Sequence, residues 1–242
     1  MKKAYSIAIF FIIGVGILFA NQSGHLLRVN LKKGQVIRHE AVVKYDAGGQ
    51  GMDVNMKMRV TQQCTAASNG VYTVNAKVDS VNLNSPSLKD PKMVKQLEDS
   101  IKKNGNATYK IDSLGRIISG TNTLNSSGIE RITYPKNPIK IGQTWTSTAK
   151  VNSMSGTTDV KATLKLLGIE RVGGVECYKT SVSTSTTVEN MKISGNGFLW
   201  IRRSDGLEEK MNMSLTMKPM SKNANTQGIP SNVKMTMTMR RL

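Results

Sequence analysis

Four stretches of this 242-residue chain alternate between apolar and polar residues, and that period of two is the mark of strands with one buried and one wet face. From Met52 to Val60 every even position is apolar and every odd one polar. Val160–Leu166, Lys210–Lys218 and Val233–Met239 follow the same rule. Turn residues separate these runs: Lys33-Gly34, Gly48-Gly49, Asn69-Gly70, Ser113-Leu114-Gly115, Gly173-Gly174 and Asp205-Gly206. About eleven strands fit between Leu26 and Arg241 on these signals.

One segment breaks the pattern. Asp90 is a good N-cap, Pro91 suits the first helical turn, and Met93, Val94, Leu97 and Ile101 form one stripe. Lys102 and Lys103 complement the helix C-terminus, and Gly105 can end it. The expected fold is mostly β, a β-rich α+β class. It is a curved antiparallel sheet or half-barrel of about eleven strands with one packed amphipathic helix.

The first twenty residues read as a signal peptide: Lys2 and Lys3, then an uncharged run from Ala4 to Phe19, with Ala20 as the residue to cut after. As a helix that run spans about 24 Å, short of the ~30 Å hydrocarbon core. Cleavage leaves residues 21–242 as one β-rich domain with no further run of membrane length; the alternative is an uncleaved N-terminal anchor. The expected location is outside the cytoplasm, periplasmic or extracellular.

The chain holds 34 Lys and Arg against 16 Asp and Glu, and removal of Lys2 and Lys3 lowers the formal charge from +18 to +16. That excess suits anionic envelope surfaces as partners. Nucleic acid is not expected, because beyond the leader the aromatics are only Phe198, Trp145, Trp200 and five tyrosines, with no basic–aromatic interleaving to stack bases.

Cys64 and Cys177 are the only cysteines. In an exported chain they are candidates for one disulfide; two separate buried thiols are the alternative. Their spacing fits no metal site, the only histidines are His25 and His39, and no cofactor motif is present. No G-x-S-x-G, H-E-x-x-H or G-x-x-x-x-G-K motif occurs. Gly195-Asn196-Gly197 reads as a bend or bulge. A non-enzymatic protein is the expectation.

Methionine is the compositional oddity. Nine lie on the apolar sides of three predicted strands: Met52, Met56, Met58, Met211, Met213, Met217, Met235, Met237 and Met239. Unbranched thioethers make an adaptable surface. Met56, Met58, Met211, Met213, Met217, Met235, Met237 and Met239, together with Trp200, are therefore the candidate residues for binding a lipid or other apolar ligand. An ordinary core filled with Met is the alternative. The M-x-M pairs also suit Cu(I) in principle, although no His or Cys accompanies them.

Gly34-Gln35 and Gly142-Gln143 each open a strand pair, and the first pair ends at Asn69-Gly70 where the second ends at Gly173-Gly174. Two related β-meanders, 26–83 and 139–190, would be separated by the helix and the Tyr109–Ile117 hairpin. The signal-like Met1–Ala20, the amphipathic strands, the helix Asp90–Asn104 and that hairpin together resemble uncharacterised bacterial exported β-rich domains. They more loosely resemble half-barrel envelope carriers of the lipoprotein-carrier and LppX-like type. That resemblance implies a curved sheet with an apolar cavity for acyl chains. Those carriers have several helices where this chain shows one, and no site residue is carried over.

Overall fold

The computed structural model describes residues 24–48, 53–120, 132–153, 156–188, 191–220 and 232–242; the expected leader 1–20 and Met52 lie outside them. Eleven strands are present: β1 (Val36–Asp46), β2 (Val54–Ser68), β3 (Val71–Asn84), β4 (Ala107–Asp112), β5 (Ile117–Gly120), β6 (Thr144–Ser153), β7 (Gly156–Val172), β8 (Val175–Val188), β9 (Met191–Arg202), β10 (Glu208–Pro219) and β11 (Val233–Arg241). One helix, α1 (Pro91–Asn104), lies between β3 and β4. The strands form one antiparallel sheet in the order β5-β4-β3-β2-β1-β11-β10-β9-β8-β7-β6. The sheet is curved and does not close on itself.

Its edges β5 and β6 are bridged by the irregular segment 132–143 rather than by a ladder. Tyr134 N–H donates to the Leu114 carbonyl in the β4–β5 turn (2.8 Å). Thr133 N–H donates to Ser147 Oγ on β6 (2.9 Å), and the Trp145 indole donates to the Thr133 carbonyl (2.9 Å). A second irregular segment, 24–35, lies beside it: Val29 N–H reaches the Ser113 carbonyl (2.8 Å) and Asn30 N–H the Asp205 carbonyl (2.9 Å). Leu27, Val29 and Leu31 alternate with polar residues as in a strand, yet segment 24–35 belongs to none of the eleven strands and packs over the sheet, while Pro135 and Pro138 interrupt 132–143.

Leu27, Val29, Leu31, Tyr134 and Ile139 of these segments join Ile37, Cys64, Val74, Ile111, Leu164, Leu166, Leu199 and Ile201 of the strands in one core. We call the face that carries this core the inner face. The core fills the end of the sheet where β2 meets β3 and β7 meets β8. A polar seal closes it: Asp205 Oδ2 accepts from Arg241 (2.8 Å) and Gln35 (3.1 Å), while Oδ1 accepts from Leu207 N–H (3.0 Å). The pair is nearly buried, and full hydrogen bonding is what makes a buried charge tolerable.

The meanders β1–β2–β3 and β6–β7–β8 open alike. Gly34 and Gly142 have φ of 86° and 89°, and their N–H groups donate to Cys64 and Leu166 carbonyls at 2.7 Å each. Gln35 Oε1 accepts from Lys32 N–H (3.0 Å), and Gln143 Oε1 from Lys140 N–H (2.7 Å).

Helix α1 carries the expected caps: Asp90 accepts from Lys92 N–H, and Gly105 N–H donates to the Ile101 carbonyl (2.8 Å). It packs against β3, along an edge of the sheet. β4 pairs only with Val71–Ala76, which leaves the rest of β3 as an open edge, and α1 lies along it. Asn106 Oδ1 takes the Val78 N–H (3.1 Å) and Glu98 Oε1 the Leu83 N–H (2.8 Å), so the helix region serves edge donors that a strand would otherwise use. No α1 residue is buried, and Met93 and Leu97 of the stripe are exposed.

The cysteines are both free and buried. Cys64 belongs to the inner-face core, whereas Cys177 sits on the other face, paired in the ladder with Glu170 and Arg202. The disulfide that the compartment suggests is absent from this structure, because the sheet backbone stands between the two thiols. Burial pushes both thiols up, Cys177 to about 11. We expect both to react with a disulfide reagent such as DTNB only after denaturation, with no mobility change on reduction. Denatured, unreduced protein that lacks thiols would contradict this.

On the outer face Glu40 is nearly buried among Lys57 (3.0 Å), Arg240 (2.9 Å) and Arg59 (3.3 Å). The Lys57 ammonium first, then the two guanidinium groups, hold its carboxyl at about 2, below its ordinary 4.5. The cluster therefore stabilises the fold fully above about pH 4.5 and loses that contribution as pH falls toward 2. Glu40→Gln is expected to flatten the drop in melting temperature over that interval. A variant as acid-sensitive as the wild type would count against this assignment.

Candidate functional site

In an antiparallel ladder, directly paired residues share a face. Following the pairs gives one row across the inner face: Leu83–Met56–Val43–Met237–Met213–Gly197–Val182–Leu164–Trp145. The next row reads Val81–Met58–Ala41–Met239–Met211–Leu199–Thr180–Leu166. On the other side lies Val54–Tyr45–Met235–Leu215–Gly195–Thr184–Ala162. Met217 faces Val233 and Ile193 beyond it.

The structure thus brings all eight described candidate methionines together on β2, β11 and β10, with Ala41, Val43 and Tyr45 of β1 between them. Met237 is the best buried at 9% exposure, and the other seven are half-buried. Met211 and Met213 touch the core; Met58, Met239, Met56 and Met237 continue their two rows across the sheet, and Met235 and Met217 extend the apolar strip away from the sealed end. There the face runs toward the β1–β2, β8–β9 and β10–β11 connections.

Gly195 and Gly197, expected as a bend or bulge, lie in a regular stretch of β9. Both face inward, where a Cβ on Gly195 would strike the Leu215 side chain and one on Gly197 the Asn212 carbonyl and Met213 Sδ. The glycines make room for the long side chains of β10 to lie flat across β9. A cleft of about 320 Å³ opens beside α1, lined by Leu83, Leu88, Val94, Lys95 and Glu98 among others. Leu83 joins it to the end of the methionine row.

Trp200 does not join the methionines. It points to the outer face between Lys179 and Lys210, one position from the inward Leu199. The run Phe198-Leu199-Trp200-Ile201 is apolar throughout, so alternation could not assign its faces. The Trp200 indole donates to Glu170 Oε1, and Lys179 Nζ pairs with Glu170 Oε2 at 3.0 Å. The Trp200 N–H, then Lys179, pull the Glu170 carboxyl below its usual range.

Among the described residues no three or more His, Cys, Asp or Glu groups gather to hold a metal, and no helix is long and apolar enough to cross a membrane.

No protein-family model matches the chain, and no curated protein matches it. Among solved structures it is similar to lipovitellin, in a structure concerned with lipid–protein interactions, with a TM-score of 0.52 and 12% identity over 88% of this chain. The chain spans only 25% of the lipovitellin chain. This likeness is one of fold. Two bacterial structures also align, the hypothetical lipoprotein YmcC of Escherichia coli (TM-score 0.34, 14% identity, 82% of each chain) and a Bacteroides fragilis protein described as exported with a YmcC-like fold (0.41, 11%, 89% of this chain and 99% of that one). At those scores neither shows a common fold. The chain is thus an open curved β-sheet of the kind seen in lipovitellin, with the eight described candidate methionines gathered on the inner face.

Proposed function

We propose that the protein is an exported, non-enzymatic protein of the cell envelope that holds a lipid or other flexible apolar ligand on the methionine-rich part of its inner face. One observation carries this reading: methionines from β2, β10 and β11 adjoin across β1 in a strip that the core segments leave half-buried. Thioether side chains repack easily around an acyl chain, whose shape is not fixed. The lipovitellin-like fold supports the same reading, as does the leader-like Met1–Ala20 for export.

Native mass spectrometry tests it. After incubation with palmitate or phosphatidylglycerol, the protein should carry one or more added masses that unfolding removes. The bare polypeptide mass under every lipid would overturn the proposal. A second reading is a structural envelope module whose methionines simply fill the fold. It is favoured by the close packing of Met237, and it predicts that bare mass.

A further inference from the structure

The outer face carries a second surface that the methionine site does not use. Phe198 is 43% exposed and is the one exposed aromatic among the described residues. Its ring lies 6.2 Å from that of Trp200. Lys179 Nζ sits 5.6 Å from the Phe198 centroid and 5.5 Å from the Trp200 centroid, and Lys210 Nζ sits 4.8 Å from Trp200 on the other side. Trp200 is thus covered by two cations, and Phe198 is left facing solvent.

The neighbours of Phe198 in the ladder are Ser181 and Asn212, with Thr238 beyond Asn212 and Lys165 beyond Ser181. The adjacent row continues from Lys210 to Arg240, Glu40 and Arg59. Lys57, Arg59, Arg240, Lys210, Lys179 and Lys165 therefore line a band from β2 to β7 whose carboxylates are Glu40, Glu170 and Glu209, the last of them hydrogen-bonded to Arg202. Six strand spacings make that band about 29 Å long.

The composition of the band selects its partner. A membrane-docking patch needs several adjoining apolar groups, and here one ring is surrounded by hydroxyls, an amide and ammonium groups. A small anion would not use a band of this length. A sugar ring stacks on an exposed aromatic face, its hydroxyls suit Ser, Asn and Thr, and carboxylates spaced along a chain suit lysines spaced along a sheet. We propose that the outer face, centred on Phe198, Lys179, Lys210 and Lys165, is a binding surface for an acidic polysaccharide.

Polygalacturonate, its methyl ester and phosphatidylglycerol vesicles are the probes, with binding followed by calorimetry and vesicle co-sedimentation at low and moderate salt. The wild type should bind polygalacturonate and not the uncharged ester. Phe198→Ala should weaken binding at least tenfold while the circular dichroism stays native and the melting temperature falls by only a few degrees, since its side chain is partly exposed. Lys165→Gln with Lys210→Gln should weaken binding and reduce its salt dependence. No binding to polygalacturonate, equal binding by the Phe198→Ala variant, or binding to the vesicles and not to the glycan would each overturn the proposal. The methionine site plays no part in these outcomes, because it lies on the opposite face.

Discussion

Replacing Gly206 by valine is expected to lower the melting temperature by about 10 °C. Gly206 has a φ of +67°, a region that β-branched residues avoid. It is also buried, and a Cβ at this position would fall on the Arg28 carbonyl. The position cannot relax outward, because Gly206 N–H donates to the Arg202 carbonyl (2.9 Å) and its own carbonyl accepts from the Tyr134 hydroxyl (2.6 Å). The β9–β10 turn and both covering segments meet at this residue. Left-handed strain and overpacking together cost on the order of 3–5 kcal/mol. For a chain of this size each kcal/mol lowers the midpoint by about 2–4 °C. Gly168→Ala is the control, since nothing lies within 4 Å of the added carbon and its φ is ordinary. Equal melting points for the two variants would show that segment 24–35 is not held as described.

The pair Met56→Gln and Met213→Gln is expected to weaken binding of a fluorescent fatty acid such as cis-parinaric acid about a hundredfold. The two residues lie in one row, separated by Val43 and Met237. Glutamine nearly matches methionine in length, so the fold loses little volume. Both sites are half-buried, and the amides keep water in the free protein. An acyl chain on this row strips that water without replacing its hydrogen bonds. The cost is about 1–3 kcal/mol for each amide, and each 1.4 kcal/mol is tenfold in affinity. Unchanged binding, with native circular dichroism, would place the ligand elsewhere.

Strand content and the two faces of most strands were legible in the sequence because alternation reports directly on a half-wet sheet. Met211, Met213 and Met217, for instance, share their face as their spacing requires. Three things were not legible. Leu27, Val29 and Leu31 alternate with polar residues and are core, but that alternation does not say that segment 24–35 covers the sheet instead of joining its ladder, and Pro135 and Pro138 break any period around Tyr134. The face of Trp200 is hidden in a continuous apolar run. The relation of Cys64 to Cys177 depends on strand order, which carries one thiol to each side of the sheet. The glycines of β9 were visible, but their meaning came only from the residues across the ladder, Leu215 and Met213. The helix was readable from its caps, while its place along the open edge of β3 followed from the shortness of β4.

The most direct test of ligand binding on the inner face is an NMR titration of protein labelled at its methionine methyl groups. The eight candidate methionines of β2, β10 and β11, assigned by single Met→Leu substitutions, should shift together on addition of dodecanoate. An unmoved inner-face set, or shifts confined to the exposed Met93 and Met220, would contradict it.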